Sequence, residues 1–216
     1  MSIATCKIPS AVRRICCFLG LFAAACLLCG CDAPVSEKAR RRFENRSGSF
    51  SVTIFPVLVT AGNQTSRSRE LARRLSLFLQ SRQLAEPTIS KNAIEMPAYY
   101  GAAETKRIRL SIRHLQQAVR HIDLTTDYAL MAEIVFNPEK TKVLGVYFYL
   151  ADRFARIASA RMANAHHREF RKIQPRTEDE AFRVLKEMIR EGWPRPSRPS
   201  RPSRPSQPSS SSHFPS

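Results

Sequence analysis

Asp127-Tyr128-Ala129-Leu130-Met131-Ala132-Glu133-Ile134-Val135-Phe136 and, beyond a break at Asn137-Pro138, Val143-Leu144-Gly145-Val146-Tyr147-Phe148-Tyr149-Leu150 are two long β-patterned runs. The first puts Tyr128, Leu130, Ala132, Ile134 and Phe136 on one face of a strand. The second is almost continuously apolar, as a central strand covered on both sides would be. Asp152-Arg153 then turns the chain toward a third strand over residues 154–162, and the three predict an antiparallel meander.

Upstream of the meander, Phe50, Val52 and Ile54 alternate with Ser51 and Thr53, and the apolar run continues to Val59. This is a strand in which Pro56, having no N–H to donate, marks an edge position or a bulge. Gly62-Asn63 turns the chain. The spacing of Leu71, Leu75, Phe78 and Leu79 predicts a helix over residues 66–84, followed by a short strand at 88–90. Residues 91–103 carry no period, and Pro97-Ala98-Tyr99-Tyr100-Gly101 reads as an exposed aromatic loop. A second helix, 104–121, has the regular stripe Ile108, Ile112, Leu115, Val119 and Ile122.

Downstream, a basic loop is expected over 164–176. A third helix is opened by the capping box Thr177-Glu178-Asp179-Glu180, buries Phe182, Leu185, Met188 and Ile189, and ends at Gly192 and Pro194. The fold class is therefore α/β or α+β: a mixed sheet with a late antiparallel meander and three helices, over residues 49–193, flanked by disordered ends.

The amino-terminal flank sets the address. All six cysteines fall within the first thirty-one residues. Lys7, Arg13 and Arg14 precede an apolar stretch from Ile15 to Leu28, whose fourteen residues would rise only ~21 Å as helix, short of the ~30 Å needed to span a bilayer. That is a signal peptide, residues 1–30, rather than a spanning helix. Leu28-Cys29-Gly30-Cys31 resembles the lipobox of bacterial lipoproteins. The resemblance implies cleavage between Gly30 and Cys31 and a diacylglycerol, labelled by palmitate, on the Cys31 thiol. Asp32 resembles the inner-membrane retention signal of enteric lipoproteins, but inner and outer membrane both stay open. Residues 31–48, with Arg40-Arg41-Arg42, read as a disordered, lipidated basic tether that lies against an anionic leaflet.

The carboxy-terminal residues 194–216 repeat Arg-Pro-Ser. Proline at every third position favours polyproline II, which aligns Arg195, Arg198, Arg201 and Arg204 along one edge. These four and the three tether arginines are candidates for contact with an anionic surface. The formal charge is +17, and loss of Lys7, Arg13 and Arg14 with the signal lowers it to +14. Such a charge commonly points to nucleic acid. An exported chain meets none, so no nucleic-acid partner is expected and the acidic contacts are phospholipids, lipopolysaccharide or wall polymers.

No chemistry-bearing motif emerges. The seven glycines are scattered singly, and neither a nucleophile elbow nor a His-Glu-x-x-His pattern occurs. His114 and His121 share a helix face near Asp123 and Asp127, without the ligand spacing that zinc needs. No catalytic residue, metal or cofactor is expected. Tyr99, Tyr100, His166, His167, Arg168, Arg171 and Lys172 are candidate partner-binding residues.

The element order and the segment Val52-Thr53-Ile54-Phe55-Pro56-Val57 resemble a group of envelope proteins: the amino-terminal domain of the Tol–Pal propeller protein, the peptidoglycan-synthase activator lipoproteins and the curli-secretion lipoprotein. The resemblance implies a non-enzymatic accessory or adaptor module that binds an envelope protein or an anionic envelope polymer, facing the periplasm or exterior. The rival expectation is an envelope hydrolase or ligand-processing enzyme with a site assembled from distant residues. The sequence leaves the oligomeric state open.

Overall fold

The structure is a computed structural model that describes residues 35–46, 48–97, 101 and 103–194. Its elements run α1 (Glu37–Glu44), β1 (Ser51–Ile54), β2 (Val57–Ala61), β3 (Gln64–Ser68), α2 (Arg69–Ser81), β4 (Glu86–Ile89), α3 (Glu104–His121), β5 (Tyr128–Phe136), β6 (Val143–Asp152), β7 (Ile157–Ala163), α4 (Arg168–Ile173) and α5 (Glu178–Gly192). The seven strands form one mixed sheet centred on β5.

Every residue of β5 is buried. On one side β5 pairs antiparallel with β6, and β6 with β7, which is the expected meander. On its other side β5 pairs in parallel with both β1 and β2. These two strands are one line of chain interrupted at Phe55-Pro56. Ile54 lies opposite Leu130, but Leu58 lies opposite Glu133, so three residues fill a gap that two span on β5. Pro56 therefore marks a bulge. An extra residue reverses the side-chain alternation beyond it. Val52 and Ile54 enter one core, and after the bulge it is Val57, Val59 and Ala61 that do so. Outside this line, β4 runs parallel to β1 and β3 antiparallel to β2.

The two sheet faces carry separate cores. One is built from the even positions of β5, from Val146, Phe148 and Leu150, and from the apolar faces of α1, α2 and α5. The other holds Ala129, Met131, Val135, Tyr147 and Tyr149 beneath Ile112, Leu115 and Val119 of α3. Helix α3 has the predicted bounds, and α5 carries the predicted capping box, with the Thr177 hydroxyl accepting from the Glu180 N–H.

Five expectations are corrected, four of them in detail of bounds and elements. Residues 66–68 belong to β3 rather than to a helix, because they pair with Val57–Val59 and Ser68 caps α2 by accepting from the Leu71 N–H. The short strand is β4, at Glu86–Ile89. The third meander strand begins at Ile157, after a turn that exposes Phe154. The basic loop contains α4, which buries Phe170 and stops at Gln174 in a left-handed conformation, φ 49° and ψ 59°.

The largest correction concerns the expected disordered tether. Ser36 caps α1, and Ala39 and Phe43 are buried. Phe43 meets Phe50, Tyr128 and Trp193 edge-on, with ring centroids 5.6, 5.5 and 5.5 Å away. Each such aromatic contact contributes ~1 kcal/mol beyond the area it buries. Arg46 follows, paired with Asp127 at 2.9 Å and lying over the Phe50 and Tyr128 rings. Two apolar residues in eight suffice because their partners come from positions remote in sequence.

Candidate functional site

The densest set of polar side chains lies beneath α3. Glu133 is completely buried, and its carboxylate accepts from Arg107 Nη1 at 2.9 Å, from Thr60 at 3.3 Å and from Ser111 at 3.3 Å. Thr60 reaches it only because the bulge at Phe55-Pro56 turned that side of β2 toward α3. Burial pushes the Glu133 carboxyl upward in pKa, and the neighbouring Arg107 opposes the shift. Tyr147 and Tyr149 flank the cluster, and burial raises both phenols. The Tyr147 ring lies against Gly145, where an added Cβ would come within 2.7 Å of the phenol oxygen. This passage lets the Tyr147 hydroxyl donate to Glu104 at 3.1 Å, and Asn164 donates to the same carboxylate.

Glu133 has no exposed surface and the Arg107 side chain is only 7% exposed. A sealed carboxylate cannot meet a substrate. It works as a pin: the pair fixes α3 in rotation and translation on the sheet. A buried ion pair of this kind adds little net stability, yet losing one partner is costly.

The arrangement able to meet a ligand lies where the β5–β6 turn meets the end of α4. A groove of about 550 Å³ is lined by Lys142, Val143, Phe170, Arg171, Pro175 and Arg176, among others, with no acid in its wall. Val143, Phe170 and Pro175 are buried and form an apolar floor, while Lys142, Arg171 and Arg176 are exposed. The Val143 N–H donates to the Pro175 carbonyl at 3.1 Å, which ties the two walls together. The Glu180 carboxylate is engaged by the Arg176 and Thr177 N–H groups, which hold its pKa down, so it is committed to capping α5. Three cations over an apolar floor suit an anionic partner with some apolar surface. A second groove of about 420 Å³, lined by Arg46, Gly48, Gln80, Gln83, Glu86 and Pro194 among others, carries both signs of charge.

Of the candidate partner-binding residues only Arg171 lines the cationic groove, joined there by Arg176 from the same basic patch of the sequence. Arg168 and Lys172 lie on α4 and lean toward Glu169, at 3.7 and 3.9 Å. His166 is exposed, whereas His167 packs toward Glu191 with Nε2 3.5 Å from the carboxylate. In α1, Arg40 and Arg41 are paired with Glu37, and Arg40 also with Glu44. The Arg40 and Arg41 hydrogen bonds pull the Glu37 carboxyl down to about 2. The row of arginines is thus partly neutralised within its own helix, with Arg42 exposed. Gly30, Cys31, Tyr99, Tyr100, Arg195, Arg198, Arg201 and Arg204 lie outside the described residues.

His114 and His121 do not form a ligand set: among the described residues no three His, Cys, Asp or Glu side chains gather as a metal would need. Burial, with Arg113 beside it, lowers the His114 pKa. No helix among the described residues is long and apolar enough to cross a membrane. Sequence reasoning passed over Glu133 and Lys142. A signal existed for the first, since Glu133 is the one charged residue between Tyr128 and Phe136.

No family model matches the chain, and no curated protein matches it in sequence. Among solved structures it is similar to the C-terminal domain of LpoB from Salmonella enterica, with 10% identity and a TM-score of 0.34, over 62% of this chain and 94% of that one. At that level the likeness transfers neither a residue role nor a function.

Proposed function

We propose that this chain is a lipid-anchored protein of the bacterial cell envelope, held on a membrane through Cys31, whose folded part is a non-enzymatic accessory module. It takes an acidic envelope component, an anionic polymer or the acidic face of an envelope protein, into the groove formed by Lys142, Arg171 and Arg176. The anchor is supported by the lipobox-like Leu28-Cys29-Gly30-Cys31 behind a short apolar run. The binding role is supported by one observation above the others: three exposed cations surround an apolar floor that no acid lines.

The test is salt-dependent retention of purified anionic wall polymer by membranes carrying the lipidated protein. Each cation near an anionic surface contributes about 1 kcal/mol. The Lys142→Glu, Arg171→Glu, Arg176→Glu variant should therefore lose on the order of 100-fold in affinity at low salt. Deleting residues 195–216 should cause a further, smaller loss. Retention by the triple variant equal to that of the parent would remove the groove from the account.

A further inference from the structure

The β6–β7 turn is built to display one aromatic ring. Phe154 is 58% exposed, one of three large apolar side chains at the surface of the described residues. The Arg153 and Arg156 guanidiniums lie over its ring, 5.1 and 4.8 Å from the centroid. The turn beneath is rigid. The Asp152 carboxylate accepts from the Phe154 N–H at 3.0 Å, from the Arg156 N–H at 2.9 Å and from Arg156 Nε at 2.8 Å. The Ala155 N–H donates to the Asp152 carbonyl at 2.8 Å, with Ala155 itself at φ 57°. Gln116 of α3 braces the tip from below by donating to the Ala155 carbonyl. A turn held at so many points spends no entropy when it presents Phe154 to another phase.

The amino-terminal end of the described chain lies beside this tip. The Ser36 N–H donates to the Ile157 carbonyl at 2.9 Å, and Val35 packs against the core that contains Ala155 and Ile157. Four residues separate Ser36 from Cys31, and the five steps between them reach at most about 18 Å when fully extended. Phe154 stands three residues from Ile157, within about 11 Å of it. A domain of this size has a radius of gyration of ~15 Å, so the leash is about one domain radius long. It cannot let the far side of the domain settle against the bilayer in place of the near one.

We infer that the Arg153-Phe154-Ala155-Arg156 turn is a membrane contact: Phe154 enters the headgroup region of the bilayer that holds the Cys31 lipid, and the exposed Arg153 meets lipid phosphate, while Arg156 stays paired with Asp152 at 2.6 Å and holds the turn in shape. This rests on the lipid-anchor reading and adds an orientation to it. Aromatic rings with arginine beside them favour that interface because the ring tolerates partial hydration while the guanidinium stays among phosphates. The cationic groove is left to reach outward, and the acyl chains and the turn together give two points of attachment, which restrict the tilt that one alone would leave free.

The test uses the full lipidated protein reconstituted into vesicles of phosphatidylethanolamine and phosphatidylglycerol with brominated acyl chains. Tryptophan is introduced as Phe154→Trp and, separately, as Leu77→Trp on α2, which packs by β4 at the opposite edge of the sheet. With the emission of the buried Trp193 of the parent subtracted, the expected result is a loss of Phe154→Trp emission in brominated relative to unbrominated vesicles and a blue shift on vesicle binding, with Leu77→Trp unquenched. The same samples are labelled with palmitate. Palmitate present with Phe154→Trp unquenched, or both variants quenched equally, overturns the docked orientation and leaves the anchor intact. Crosslinking of position 154 to protein in place of quenching overturns it as well. Palmitate absent overturns the anchor and the docking together.

Discussion

The two faces of the sheet solve the same problem with different chemistry. Beneath α1, α2 and α5 the interior is aliphatic and aromatic, closed by the Phe43–Phe50–Tyr128–Trp193 cluster. Beneath α3 it is centred on the Glu133–Arg107 pair, with Thr60, Ser111 and two tyrosines around it. On the first face α2 and α5 pack against each other, and Phe43 of α1 meets Trp193 at the end of α5. On the second, α3 is the one helix among the described residues that covers the core, beside Ile94 and Met96 of the preceding segment, and a directional contact sets its register. Apolar area stabilises without specifying position, whereas a buried ion pair adds little net stability and fixes one geometry.

This contrast is broken most sharply by removing one partner of the pair. Arg107→Met leaves the Glu133 carboxylate buried without its cation and should cost about 3–5 kcal/mol in denaturant unfolding. The double variant Arg107→Met, Glu133→Leu should recover most of that loss while broadening the amide spectrum of α3. A double variant as unstable as the single one would mean that the pair supplies stability rather than register. On the apolar face Phe43→Ala should cost about 3 kcal/mol and release α1, seen as new protease sensitivity at residues 37–46. Unchanged stability would return α1 to the disordered tether that its sequence suggested.

Smaller effects sharpen the comparison. Gly145→Ala presses a methyl group into the Tyr147 ring and should cost about 1–3 kcal/mol by overpacking, loosening the Tyr147 contact with Glu104. Thr177→Ala removes half of a capping box and should cost about 1 kcal/mol, on α5 alone.

The faces should also differ in pH response. Asp127 is half-buried beside the aromatic cluster. Burial opposes its ionisation, but the Ser51 N–H and hydroxyl and the Arg46 guanidinium win and hold its pKa down. Its contribution is complete above the ordinary carboxylate pKa and disappears as pH falls through the lower folded value. Glu133 works in the opposite direction. Its folded pKa is raised, so stability declines as pH climbs from the ordinary value through the folded one. In stability measured against pH, Asp127→Asn should flatten the loss below the ordinary carboxylate pKa and Glu133→Gln the decline above it. Identical profiles for parent and Asp127→Asn would mean that Arg46 does not fasten the chain.

Legibility in the sequence followed the locality of the interactions. The β5–β6–β7 meander, the bounds of α3 and the cap of α5 depend on neighbours within a few residues or on runs long enough to show a period. Helix α1 was hidden because its two buried residues gain their partners from Phe50, Tyr128 and Trp193. Strand β3 was hidden because an edge hairpin arm exposed to solvent needs no apolar alternation, and Ser66-Arg67-Ser68 blends into the helix that follows. Pro56 was readable as an edge or a bulge, but the reversal of side-chain direction beyond it, which delivers Thr60 to Glu133, appears only when the register with β5 is known. The cationic groove was half visible: Arg171 and Arg176 fall in a basic stretch, whereas Lys142 joins them from a hairpin turn about thirty residues earlier.

The anchor at Cys31 is the feature on which the proposed function most depends. Intact-mass analysis of the protein purified from bacterial membranes, with fragmentation of its first residues, tests it directly. The predicted result is a chain that begins at Cys31 and carries diacylglycerol on that sulfur. A chain that retains residues before Cys31, or begins there with a free thiol, would contradict it.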